Sequence, residues 1–191
     1  YAASSGFGHT GPYSKRAAYD EVVQAMGGVM SITGALGGKP TKVGPSVADI
    51  IAGLYTAIGI LAAVNYRNLT GKGQKVDVAM LDSQVSILEN AIARYTATGV
   101  NPEPLGNRHP SIVPFEDFET ANGSIMIAAG NDALFKKLVD ALGVPDLADD
   151  ERFKTNPKRG ENYTAIRPLL AEPFLTKTTE EWIDILNQAG V

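Results

Sequence analysis

The sequence predicts an α/β protein. Three observations carry that reading: helical spacing of apolar residues over 19–32 and 47–68, a short apolar strand at 75–79, and Asn122-Gly123 set between two apolar runs. Taken in order, residues 2–8 read as the end of a strand running into a Gly-rich loop that continues through Thr10-Gly11-Pro12. Over 19–32, Val22, Val23, Met26 and Met30 fall on one side of a helix. Residues 34–44, rich in Gly and holding Pro40, form a loop. A long helix over 47–68 carries Gly53 and Gly59, which lower helix propensity by about 1 kcal/mol each relative to Ala and so predict close packing. The turn Thr70-Gly71-Lys72-Gly73-Gln74 leads into the strand, and one helix follows over 81–98.

Asn101-Pro102-Glu103-Pro104 breaks that helix and sets the expected domain boundary, giving domains 1–100 and 101–191. In the second, strands over 113–120 and 124–129 flank the Asn-Gly hairpin. Helices are expected at 132–142, 162–174 and 179–189, the last opened by a capping box from Thr178 to Glu181 with Trp182, Ile185 and Leu186 inward.

Composition narrows the function. The chain has 191 residues, 44% apolar and 20% charged, with net charge −4, so it is ordinary globular material without a basic run for nucleic acid. Residues 1–99 carry eight basic and six acidic side chains and 100–191 nine and fifteen, so the first half suits an anionic ligand better. The chain has no cysteine, which removes disulfides, thiol nucleophiles and Cys-ligated metal, and two histidines make a multi-histidine metal site unexpected. Residues 50–64 are apolar but short for a membrane span, so 47–68 is expected to be a buried core helix. Tyr1 is not an initiator methionine, and the chain reads as an internal portion of a longer one.

Among single residues Asp49 is the most informative. It sits among apolar neighbours at a helix start, where burial disfavours the anion and the helix N-terminus favours it, a balance suited to a nucleophile. The alternative is structural: Ser46-Val47-Ala48-Asp49 has capping-box spacing with Asp for Glu. Gly6-Phe7-Gly8-His9-Thr10-Gly11 spells G-x-G-x-x-G, but Pro12 follows where a dinucleotide fingerprint needs a helix, so a crossover loop is the better reading. Gly71-Lys72-Gly73 lacks the rest of a P-loop. Lys15-Arg16 beside Tyr19 suits phosphates and a ring, or is a solvated loop. Met80 is by default core, and Asp77 and Asp82 read as strand-edge and helix-start acids. The polar loop at 106–111 is of the kind that carries function.

Longer stretches carry a resemblance. Ser5-Gly6-Phe7-Gly8-His9-Thr10-Gly11-Pro12, Arg16-Ala17-Ala18-Tyr19-Asp20, Val47-Ala48-Asp49-Ile50-Ile51-Ala52-Gly53-Leu54, Thr70-Gly71-Lys72-Gly73-Gln74 and Gly106-Asn107-Arg108-His109-Pro110-Ser111 resemble, in order, the family III CoA-transferases. That group contains formyl-CoA, carnitine and succinyl-CoA-dependent dicarboxylate CoA-transferases. The resemblance implies a Rossmann-like large domain followed by a small α+β domain, in an intertwined homodimer. It implies Asp49 as nucleophile, Arg16, Tyr19 and Met80 as coenzyme A contacts, and Gly106, Asn107 and His109 in a lid over the substrate. Coenzyme A is then the co-substrate, acyl-CoA and carboxylates the small-molecule partners, and the cytoplasm the expected location, or the mitochondrion in a eukaryote. Metal, nucleic acid and membrane are not expected. Two alternatives stand beside this reading. One is an α-methylacyl-CoA racemase, which resemblance would give His where Tyr19 stands; the other is a non-catalytic packing domain.

Overall fold

The computed structural model describes all 191 residues, which divide into two units, Tyr1–Gly106 and Asn107–Val191. The division lies just past Asn101-Pro102-Glu103-Pro104. The Gly106 amide donates to the Gly34 carbonyl at 2.9 Å, which ties 101–106 to the first unit.

In the first unit, β1 (Ala2–Ser5) pairs in parallel with β2 (Val76–Ala79), Ala2 opposite Val76 and Ser5 opposite Ala79. Between them come α1 (Asp20–Met26) and α2 (Val47–Thr70). A parallel pair requires such a crossover. The glycine of mid-helix fits its strand closely: a Cβ on Gly59 would lie 2.6 Å from Val76 Cγ1. At the helix start, Ala48 and Ala52 pack with Val23 and Met80 in one buried cluster. Because α2 meets the beginning of β2 at its middle and the end of β2 at its start, it runs antiparallel to the strands. Its N-terminus therefore stands at their carboxyl ends, the edge of an α/β sheet where ligands bind.

The helix expected over 19–32 is shorter. It stops at Gly27-Gly28, where Gly28 takes φ +94°, and a single 3₁₀ turn follows at Met30–Ile32. Its inward face also differs from the expected one. Val23 and Gln24 are fully buried and Asp20 nearly so, while Val22 and Met26 are 45% and 43% exposed. The helix expected over 81–98 is broken into α3 (Met80–Val85), a 3₁₀ turn at Ser86–Leu88, and α4 (Glu89–Thr98). Ser83 and Ser86 hydroxyls bond back to the carbonyls of Ala79 and Ser83, the serine back-bonding that bends helices.

The expectation of a buried core helix for α2 is not met within this chain. Only Ala48 and Ala52 are buried, and Leu54, Ile58 and Leu61 are 60%, 59% and 70% exposed. Its 24 residues, with mean hydropathy 2.0 over the best 18, also make it long and apolar enough to cross a membrane by length and composition. The uncharged stretch 50–64 is shorter than the helix, which runs on to Thr70. A Cβ on Gly53 would meet nothing within 4 Å, so of the two glycines only Gly59 reports close packing.

The second unit follows its predicted pattern more closely. β3 (Phe115–Glu119) and β4 (Ser124–Ala128) form the antiparallel hairpin, Glu119 opposite Ser124. Helices α5 (Asp132–Leu142), α6 (Asn156–Glu161), α7 (Tyr163–Phe174) and α8 (Thr179–Ala189) enclose a core that includes Phe118, Phe135, Phe153, Phe174 and Trp182. The capping box of α8 is complete, Thr178 accepting from the Glu181 amide and Glu181 from the Thr178 amide. Helix α6 has no counterpart in the sequence expectation; Pro157 in its first turn is its only clear start signal.

Candidate functional site

Asp49 lies in the first turn of α2 and is exposed. The expected apolar enclosure is absent in this chain, because Ile50 and Leu54 beside it are themselves more than half exposed. What remains of the sequence argument is the helix N-terminus, whose partial positive charge favours a carboxylate.

The structural alternative for Asp49 is not realised either. Ser46 occupies the N-cap position but makes no side-chain cap, so the Ser46–Asp49 capping box does not form. The cap comes from another helix. Asp20 Oδ1 accepts from the Ala48 amide at 2.8 Å, and Asp20 Oδ2 accepts from Gln24 Nε2 at 2.6 Å. Gln24 Oε1 in turn accepts from the Val43 amide at 2.8 Å. These two buried side chains were missed in the sequence, where the apolar stripe drew attention to the opposite face of α1. The available signal was an acid and an amide at i and i+4 on the face of Val23.

The Asp20–Ala48 bond also locates the other predicted residues. Tyr19 precedes Asp20 and Asp49 follows Ala48, so the bond brings Tyr19 and Asp49 to one end of the first unit. Tyr19 is 79% exposed there, with its ring free for a ligand. Met80, next after β2, packs with Ala48 beneath the same turn, but at 9% exposure it serves the core first. Arg16 does not stack on Tyr19. Its guanidinium lies over the Tyr13 ring at 3.9 Å to the centroid, because the turn closed by the Arg16 amide on the Tyr13 carbonyl folds the two together. Asp77 is structural, as expected: it accepts from the His9 amide at 3.0 Å and from Lys75 at 3.3 Å. Partial desolvation opposes its ionisation, but these two donors outweigh it and hold its carboxyl below the usual range.

The predicted lid residues lie in and beside the second unit. Gly106 and Asn107 are exposed, Gly106 with φ +64°. His109 is fixed: its Nδ1 accepts from the Ser111 and Ile112 amides, both at 3.1 Å, and its ring stacks on Phe115. With Nδ1 occupied as an acceptor, only Nε2 is left to meet a ligand. Beyond it the loop is anchored. Asn156 accepts from the Val113 amide and donates to the Ser111 carbonyl, and fully buried Arg159 donates to the Val113 carbonyl at 2.7 Å. Burial lowers the Arg159 pKa, offset in part by Asp132. The loop is thus held from His109 onward.

Comparison with known proteins places this arrangement among relatives. The sequence profile of CoA-transferase family III matches residues 1–191. The chain is 42% identical over 192 residues to acetyl-CoA:oxalate CoA-transferase of Acetobacter aceti, covering 100% of this chain and 49% of that protein. It is 43% identical over 175 residues to succinate–glutarate CoA-transferase of Agrobacterium fabrum, covering 92% and 44%. Among solved structures it is similar to a CAIB/BAIF family protein from Brucella suis, with TM-score 0.83 and 42% identity, covering 100% of this chain and 50% of that one. The chain spans about half the length of the relatives it matches.

Proposed function

The chain belongs to CoA-transferase family III, and from that premise we propose that the whole protein transfers coenzyme A between an acyl-CoA and a carboxylic acid through covalent intermediates on Asp49. The observation that carries the reading is an exposed carboxylate in the first turn of α2, at the carboxyl ends of β1 and β2, with the exposed Tyr19 ring at the same end.

An Asp49 oxygen attacks the thioester carbon, the C–S bond breaks, and CoA leaves as a thiolate, giving a mixed anhydride. The thiolate attacks the Asp49 side-chain carbonyl and expels the donor carboxylate, leaving an aspartyl-CoA thioester. The acceptor carboxylate attacks that carbonyl, forming a second anhydride and freeing the thiolate. Attack of the thiolate on the acceptor's acyl carbon then releases the new acyl-CoA and restores the Asp49 carboxylate. Each step exchanges one acyl bond for another, which divides one difficult transfer into easier ones. Both intermediates hydrolyse readily, so water must be kept out. Loop residues Gly106 and Asn107, with His109 Nε2, are the elements we assign to that closure.

Tyr19 and Arg16 take the coenzyme, the phenol ring by stacking and the guanidinium by binding phosphate. Met80 contributes at most its exposed edge. Tyr19 also favours transfer over racemisation, because a phenol is a poorer base than an imidazole for removing an α-proton. For the whole protein we further propose a Rossmann-like large domain with a small α+β domain, a homodimer, and a cytoplasmic location. The exposed apolar face of α2, at Leu54, Ile58 and Leu61, is a surface we assign to packing against other protein in that homodimer. Nucleic acid and metal play no part in this mechanism.

The experiment is transfer by the whole protein, followed by chromatography of acyl-CoA species against a panel of mono- and dicarboxylates. Net formation of a new acyl-CoA at the expense of the donor is expected. Exchange of the acyl α-hydrogen with deuterated solvent, without transfer, would replace this reading with racemisation.

A further inference from the structure

We propose that Asp20, working with Gln24, is a positioning residue for Asp49: the pair sets where the first turn of α2 stands and so where the nucleophile points. The inference rests on the reading of Asp49 as nucleophile.

The pair governs the whole approach to that turn. Gln24 Oε1 holds the Val43 amide, and Gln24 Nε2 faces the Val43 and Pro45 carbonyls at 3.4 and 3.5 Å. Gln24 Nε2 donates its short bond to Asp20, and Asp20 holds the Ala48 amide one residue before Asp49. The entry to α2 is thus held at both ends by side chains of a single turn of α1. Ser46 supplies no alternative. Asp20 is 3% exposed and Gln24 fully buried, so solvent does not substitute for either partner. Burying an acid and an amide is costly where apolar residues would pack as well, and here every polar atom of the pair is used. Tyr19 is carried on the residue before Asp20, so the same bond keeps the proposed coenzyme contact in register with the nucleophile.

The polarity of the chain of bonds makes the idea testable. Asp20 only accepts, from Ala48 on one side and Gln24 on the other, and Gln24 accepts from Val43. In D20N the new amide nitrogen faces Gln24 Nε2, donor against donor, and turning the Gln24 amide over only moves the conflict to Val43. In the double variant D20N/Q24E the directions agree again. The amide oxygen at position 20 accepts from Ala48, its nitrogen donates to the carboxylate at 24, and that carboxylate accepts from Val43. The two long contacts to the Val43 and Pro45 carbonyls become acceptor against acceptor, which limits the rescue but leaves the three short bonds correctly directed.

The test is single-turnover formation of the aspartyl-CoA adduct in the whole protein at saturating acyl-CoA, read by quench and mass spectrometry, with the Kd for CoA measured beside it. A shift of about 1 Å in a reacting group can lower a rate roughly 100-fold. D20N is expected to slow adduct formation about 10- to 100-fold with the Kd for CoA changed less than about threefold, and D20N/Q24E to recover to within about threefold of wild type. A folded D20N that forms adduct at the wild-type rate, or a double variant no faster than D20N, overturns the proposal. If D20N does not fold, Q24M carries the test, with a smaller loss of saturating rate expected and a wild-type rate overturning it. D49A serves as the separate control: adduct in D49A sinks the nucleophile assignment, whereas loss in D49A with no effect of D20N sinks only the positioning role.

Discussion

Asp20 Oδ1 accepts a 2.8 Å hydrogen bond from the Ala48 amide, so a buried carboxylate of α1 caps the helix that carries Asp49. The arrangement releases Asp49 from structural duty. Its side chain is exposed and no capping box uses it.

Replacing Asp49 by Ala should therefore abolish transfer while changing stability little. A first-turn acid contributes only about 0.3–1 kcal/mol to a helix. Acyl-CoA chromatography and thermal unfolding of the whole protein measure the two effects. Wild-type transfer with lowered stability would return Asp49 to a purely structural role.

Tyr19→Ala should weaken CoA binding about three- to tenfold, the loss of a stacking contact of about 0.5–1.5 kcal/mol. Because the ring is 79% exposed, folding should be unaffected. Isothermal titration with CoA decides it, and an unchanged Kd removes Tyr19 from the site.

The two glycines of α2 should respond in opposite directions. Gly59→Ala places a methyl 2.6 Å from Val76 Cγ1 and should destabilise by about 1–3 kcal/mol through overpacking. Gly53→Ala meets open space and should stabilise this 191-residue chain by about 1 kcal/mol through helix propensity. Denaturant titration of both variants checks the contrast.

In the second unit, Arg159→Met should leave the buried Val113 and Phe153 carbonyls without donors, at about 1–3 kcal/mol each. The same change should speed amide hydrogen exchange at Val113 and its neighbours, since the anchored end of the 106–114 loop loses a partner.

Glu181 gives a pH-dependent prediction. The Thr178 amide and hydroxyl hold its carboxyl below its ordinary value of 4.5. A depressed carboxyl stabilises the fold above the unfolded value, and that stabilisation is lost as pH falls through the folded one. The stability advantage of wild type over Glu181→Ala should be present at neutral pH and shrink below about pH 4.5, as urea titrations across that range would show.

Much of this fold was legible where local rules decide. Asn122-Gly123 marked the hairpin and Thr178-Glu181 the start of α8 because turns and caps are written in adjacent residues. Helix ends set by geometry were less legible. The break at Gly27-Gly28 and the kink at Ser83 and Ser86 depend on backbone dihedrals and back-bonded hydroxyls that periodicity does not register. The placement of Asp49 at a helix start was legible, and the buried pair Asp20 and Gln24 was not. The latter two act through segments up to 28 positions away, and an apolar-stripe argument assigns polar residues to solvent. The exposure of α2 was not legible either, since a run of apolar residues reads as core from composition alone.

The most direct test of the whole account is the site of covalent attachment. The whole protein, incubated with acyl-CoA without acceptor, quenched in acid and digested, should yield the peptide containing Asp49 heavier by CoA less one water. Fragmentation should place that mass on Asp49, and addition of acceptor carboxylate before the quench should discharge it. Steady turnover with no such adduct, or with CoA attached to another residue, would contradict the assignment of Asp49 as the nucleophile.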